Sequence, residues 1–69
     1  MEDQSTIRLD QFMKLVGMAR SGGEAKHLIQ AGRVTVNGVI EMRRSKKLRR
    51  GDCVDLGNLS EVVELSDEA

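Results

Sequence analysis

The chain has 69 residues, 39% hydrophobic and 32% charged, with one cysteine, one histidine and one aromatic side chain, Phe12. That length allows a single domain with a thin core that buries roughly 60% of the unfolded surface. Lone Cys53 and lone His27 exclude an internal disulfide and the usual zinc site, and no apolar run nears the roughly 20 residues of a membrane span.

The start, Met1-Glu2-Asp3-Gln4, is acidic where a signal peptide would be basic, so a soluble, cytoplasmic protein without metal or other cofactor is expected. The 11 bases and 11 acids cancel formally but are segregated: residues 1–50 carry every base against five acids, a net +6, while residues 51–69 carry six acids and no base. Such segregation builds a local positive field that attracts polyanions, nucleic acid first among them.

Leu9, Phe12, Met13 and Val16 recur at i, i+3, i+4 and i+7, the stripe of an amphipathic helix that Gly17 should end. A second stripe, Ala25, Leu28 and Ile29, follows Ser21 and stops before Gly32. Ser21 and Glu24 have capping-box spacing, in which the hydroxyl accepts from the amide of residue 24 and the carboxylate returns to the amide of the cap residue itself. After Gly32 the period changes to two: Val34-Thr35-Val36, then Asn37-Gly38, then Val39-Ile40, the signature of a type I′ hairpin.

Six of the eight residues 43–50 are basic, a run expected to form a solvated loop or a poor edge strand ended by Gly51-Asp52. Alternating Cys53-Val54-Asp55-Leu56 should be a strand, with Cys53 a small buried hydrophobe, and after Gly57-Asn58 the residues Val62, Val63 and Leu65 should supply a last one. The folded body is placed at 6–65, with 1–5 and 66–69 loose.

The run Arg43, Arg44, Lys46, Lys47, Arg49 and Arg50 is the strongest functional signal, because a phosphate chain can be neutralised by several Lys and Arg with release of counterions. The alternative is a solvated loop paired with the acidic end. Gly22 and Gly23 cost helix propensity in what should be a first turn. There they either let a phosphate or sugar approach the helix amides or admit a close approach between the two helices. Lys26 and His27 should point outward from the second helix; Lys26, beside Arg20 and Arg33, is a candidate phosphate contact, and His27 has no partners that would make it catalytic. Arg50-Gly51-Asp52 reads as a chance tripeptide. With Phe12 alone, base-stacking platforms are missing, so recognition should rest on phosphates, 2′-hydroxyls and RNA shape.

Arg8-Leu9-Asp10, Gly17-Met18-Ala19, Ser21 with Glu24-Ala25-Lys26-His27-Leu28-Ile29, Gly32-Arg33-Val34-Thr35-Val36-Asn37-Gly38, and Gly51-Asp52 together resemble the RNA-binding module named after ribosomal small-subunit protein four. The resemblance covers about residues 8–56 and is strongest to the small stand-alone bacterial members. It implies an α+β fold, two N-terminal helices packed on a small antiparallel sheet, holding structured RNA against the second helix and the following loop. It places Arg8, Ser21, Lys26, Arg33, Asn37 and Lys46 or Lys47 on the RNA face. Many members have Arg or Lys where this chain has Gly22, so a side-chain contact at the helix start is missing unless backbone amides or Arg20 substitute.

The expected function is non-enzymatic binding of ribosomal or transfer RNA by a monomer, with the ribosome as a platform that would display such RNA. Two alternatives stay open: a protein-interaction module using the acidic C-terminal segment, and duplex DNA binding, because two helices joined by a glycine-containing turn imitate a helix-turn-helix.

Overall fold

A computed structural model describes residues 6–64. The expected loose ends at 1–5 and 66–69, and the expected place of Leu65 in the last strand, lie outside the described residues. The element order is β1 (Thr6–Arg8), α1 (Leu9–Leu15), α2 (Gly22–Gln30), β2 (Val34–Val36), β3 (Val39–Ile40), β4 (Lys47–Arg49), β5 (Cys53–Leu56) and β6 (Leu59–Val62). Four of the six strands form an antiparallel sheet in the order β3-β2-β5-β6, and β1 pairs with β4 in a separate two-stranded ribbon. The architecture is the α+β one expected, with that ribbon added.

Both helices end in the same device. Gly17 and Gly32, at φ 84° and 76°, occupy the left-handed region that glycine enters without a Cβ clash. Met18 N–H donates to the Met13 carbonyl at 2.8 Å and Arg33 N–H to the Leu28 carbonyl at 3.2 Å, the long closing bond of a Schellman cap. These caps reverse the chain. α1 therefore lies against α2 and both face the sheet. Leu9, Phe12 and Met13 of α1, Ala25 and Ile29 of α2, and Met18 and Ala19 between them are buried with Val34, Val36, Val54 and Leu56 of the sheet. Val16 and Leu28, expected in the stripes, are only half-buried at the margin of that core.

Three local expectations are corrected. Glu24 does not return to the cap's own amide: its Oε1 accepts from Arg20 N–H at 2.6 Å, one residue earlier, while Ser21 Oγ accepts from Glu24 N–H at 3.1 Å. Cys53 is half-buried because its side chain points to the uncovered face of the sheet, where its Sγ lies 3.6 Å from Ser60 Oγ. The final strand begins earlier than Val62, at Leu59, and is exposed along its length. Val63 follows it as a fully buried anchor, since its N–H donates to the Asp52 carbonyl and its carbonyl accepts from Gly51 N–H.

The basic run takes the second of its two expected forms. Residues 47–49 are an edge strand rather than a loop, paired with β1 in the register Thr6 to Arg49, Ile7 to Leu48 and Arg8 to Lys47. Period two explains why a stretch so charged can fold: Lys47 and Arg49 face water while Leu48 between them is fully buried. One inward leucine anchors the run to the core.

Candidate nucleic-acid interface

The site is built where α1 begins. Arg8 is the cap residue of α1 yet makes no side-chain cap, so the first amides of the helix need partners from elsewhere. They take them from the basic segment: Leu9 N–H donates to the Lys46 carbonyl at 2.8 Å and Asp10 N–H to the Arg44 carbonyl at 3.1 Å. The backbone carrying the cations is thereby fastened to a helix end.

Asp10 fastens it a second time. Its carboxylate, only 3% exposed, accepts from Arg8 at 2.8 and 3.2 Å and from Arg44 Nε at 2.8 Å, and Oδ1 also accepts from Gln11 N–H at 2.9 Å. Burial pushes the Asp10 carboxyl up, but the hydrogen bonds from Arg44 and Arg8 and the charges of both arginines outweigh it and hold the group below its ordinary 3.8. One acid between two arginines leaves a net positive charge on a fixed frame, and the arginines keep 46% and 35% of their side-chain surface exposed. Arg44 also reaches α2, where Gly22 leaves room for its guanidinium. Arg8, Arg44 and Lys14 line a recess of about 200 Å³ there with Gln11 and Gly22.

A second recess, about 510 Å³, lies between the β2–β3 hairpin and the β1–β4 ribbon, with Lys46, Lys47 and Arg49 on its rim. The side chains of these three make no ion pair among the described residues, whereas Arg43 is paired with Glu41 at 2.9 Å. The hydrogen bond from the Arg43 side chain is the main reason the Glu41 carboxyl sits low. Asp52 also sits low, first because the Arg49 amide donates to it at 2.8 Å. The acids at 52, 55, 61 and 64 therefore form no ion pair with Arg43, Arg44, Lys46, Lys47 or Arg49 among the described residues.

Of the residues singled out from sequence, the structure brings Arg8, Gly22 and Arg44 to the first recess and Asn37, Lys46 and Lys47 to the second. Ser21 is occupied as the α2 cap, and Gly23 meets no more than that cap's hydroxyl, so neither glycine serves a close approach between the two helices. Arg20, Lys26 and Arg33 are exposed, as expected for Lys26, but line neither recess. Arg43 lines neither and is tied to Glu41.

Sequence reasoning missed Asp10 and Lys14 as members of the site and named Arg49 only as part of the basic run. Asp10 and Lys14 are four apart on one helix, and Lys47 and Arg49 two apart on one strand, spacings that put each pair on a shared face. Among the described residues no group of three His, Cys, Asp or Glu is arranged to hold a metal ion, and no helix is long and apolar enough to cross a membrane.

The S4 domain family model matches residues 1–64. The chain belongs to the S4 domain family. A relative from Bacillus subtilis (strain 168), described as a probable ribosome maturation protein RlbA, is 41% identical over 54 residues, which cover 78% of this chain and 76% of that protein. Among solved structures, the trimeric Heat Shock Protein 15 of Vibrio cholerae superposes with a TM-score of 0.74 at 23% identity, over 93% of this chain and 69% of that one. The 30S ribosomal protein S4e of Thermoplasma acidophilum superposes with a TM-score of 0.69 at 20% identity, over 96% of this chain and 34% of that one. At these identities the two structures speak for the shared α+β fold. In this S4 domain, two cation-lined recesses are joined by a segment bonded to the start of α1.

Proposed function

We propose that this S4 domain is a non-catalytic protein that binds structured RNA, ribosomal or transfer RNA of the translation machinery, in the cytoplasm. The observation that carries the reading is the double fastening of residues 44–46 to α1, by two backbone hydrogen bonds and the shared Asp10 carboxylate. Cations held on a fixed frame lose less side-chain freedom when a phosphate arrives than cations on a floppy loop. Arg44 and Arg8 bring planar guanidinium forks suited to phosphate oxygens, and Lys46, Lys47 and Arg49 bring charge that no acid of the described residues holds in an ion pair. The description of the Bacillus subtilis relative as a probable ribosome maturation protein supports RNA of the ribosome as the partner. One copy carrying one such face is the functional unit in this reading, and Lys26, Arg20 and Arg33 extend the face along α2.

The test is a salt titration of binding to a folded hairpin RNA. Each phosphate contact contributes about −0.7 to −0.9 to the slope of log affinity against log salt. Replacing Lys46, Lys47 and Arg49 by Ala, with Arg44 kept because it holds Asp10, should flatten the slope by about two to three while circular dichroism stays native. An unchanged slope removes the segment from the interface. Equal affinity for duplex DNA at matched salt overturns the RNA assignment, and assembly that needs the acidic segment but no RNA favours a protein-interaction role.

A further inference from the structure

We propose that the larger recess, between the β2–β3 hairpin and the β1–β4 ribbon, is a seat for one unstacked nucleotide of the bound RNA. Its base would lie on Val39, next to the margin of Val36 that lines the recess, and its phosphate among Lys46, Lys47 and Arg49. The inference rests on the RNA-binding reading and goes beyond backbone recognition.

Val36 and Val39 are directly paired across β2 and β3, so their side chains stand together on one face of the sheet. Val36 is sealed into the core at 7% exposure, whereas Val39 is 68% exposed, an uncovered apolar surface on an edge strand directly under a cationic rim. An apolar floor next to phosphate-binding cations fits a nucleotide, whose base has an uncharged face and whose phosphate is anionic. In a chain with one aromatic ring, and that ring buried, the β-branched side chain of Val39 is the exposed apolar surface that lines this recess.

Asn37 stands beside the floor in the left-handed region at φ 53°. Its Oδ1 accepts from Cys53 N–H at 3.0 Å and its Nδ2 donates to Asp52 at 3.2 Å, which fixes the carboxamide and leaves one N–H and one lone pair for a base edge. The lining carries three cations, Lys46, Lys47 and Arg49, against two acids, Glu41 and Asp52, and Glu41 is already paired with Arg43, so the charge that the recess offers a ligand is positive. Its volume of about 510 Å³ falls within the roughly 300–1,000 Å³ of small-ligand sites. Charge and floor together favour a nucleotide over an acidic peptide, which has phosphate-like charge but no flat apolar face.

The test is NMR of the full chain, read at valine methyl and backbone amide signals, titrated separately with adenosine 5′-monophosphate, guanosine 5′-monophosphate, ribose 5-phosphate and inorganic phosphate. At least one nucleotide should move the Val36 and Val39 methyl signals by ring current, while ribose 5-phosphate and phosphate should move only signals of Lys46, Lys47 and Arg49. Valine methyls that stay still with both nucleotides, or move equally with ribose 5-phosphate, overturn the proposal. Val39→Ser, at an exposed edge position, should keep the fold and the salt slope of RNA binding while lowering RNA affinity three- to tenfold; unaltered affinity also overturns it. The methyl titration needs no RNA, so the seat can fail while the salt slope stands, and the slope can fail while the seat stands.

Discussion

The guanidinium of Arg44 lies where a side chain at position 22 would begin: a Cβ built on Gly22 would stand 3.3 Å from Arg44 Nη2. The absence of a side chain at the start of α2 and the presence of a cation there are thus one arrangement. The basic group at that helix end comes from the 43–46 segment, and Asp10 holds it by Nε.

Gly22→Ala should separate the two consequences. Alanine restricts the unfolded chain and favours the helix, a gain of about 0.4–1 kcal/mol where the backbone accepts it, and part of that gain is lost in moving the Arg44 tip by a few tenths of an ångström. The expected result is a protein slightly more stable to urea that binds hairpin RNA two- to fivefold less tightly. In an Arg44→Ala background the same substitution should give its full stabilisation and no further loss of RNA affinity. Simple additivity in this double-mutant cycle would show that the two positions are not coupled.

Asp10 sets the acid stability of the frame. Its folded carboxyl titrates below the ordinary 3.8, so its contribution is fully present above the unfolded value and is lost as pH falls through the lower folded one. Asp10→Asn keeps an oxygen for the Gln11 amide but strands two arginines. Because these are 46% and 35% exposed, the cost at neutral pH is screened to about 1–2 kcal/mol. Urea midpoints measured from pH 6 down to 2.5 should fall less steeply below pH 4 for the variant, with a residual fall from Glu41 and Asp52, whose carboxyls also sit low. Parallel curves would remove Asp10 as a source of the acid sensitivity.

What was legible in the sequence follows the range of the interactions. The stripe of Leu9, Phe12 and Met13, the caps at Ser21 and Gly32, and the Asn37-Gly38 turn are set by neighbours within five residues, and all form as the spacing predicts. The β1–β4 pairing was not legible, because Thr6–Arg8 pair with Lys47–Arg49 across both helices and the β2–β3 hairpin, and neither stretch alternates long enough to announce itself. Composition marked the cations of 43–50 at once. Their anchorage on Asp10 was hidden by the sequence separation of 34 from Asp10 to Arg44. The signal that was present and unused is Leu48, the one apolar side chain of the run, flanked by outward Lys47 and Arg49.

Leu48→Ala tests how far the cationic segment depends on that anchor. Leu48 is fully buried and pairs with Ile7 of β1, so truncation should cost about 2–5 kcal/mol, a large share of the stability of a domain this small. Hydrogen exchange should show the amides of β1 and β4 losing protection before those of β2 and β5. Uniform loss across all strands would mean that the ribbon and the sheet unfold as one unit.

Asn37 combines a backbone and a side-chain role, and two substitutions distinguish them. The residue sits at φ 53°, a conformation that costs alanine roughly 1 kcal/mol or more and glycine nothing. Its carboxamide bridges the hairpin to β5 through Cys53 N–H and Asp52. Asn37→Gly therefore loses the bridge alone, about 1 kcal/mol after compensation by water, while Asn37→Ala loses the bridge and gains strain, about 2 kcal/mol in all. In both, the Asp52 carboxyl should titrate higher, since one of the hydrogen bonds that lowers it is gone, although the larger contribution from the Arg49 amide remains. Urea midpoints in the order wild type, Asn37→Gly, Asn37→Ala, with an upward Asp52 titration by carbon-detected NMR, are the expected outcome. Equal midpoints for the two variants would assign the whole cost to the bridge and none to the left-handed backbone.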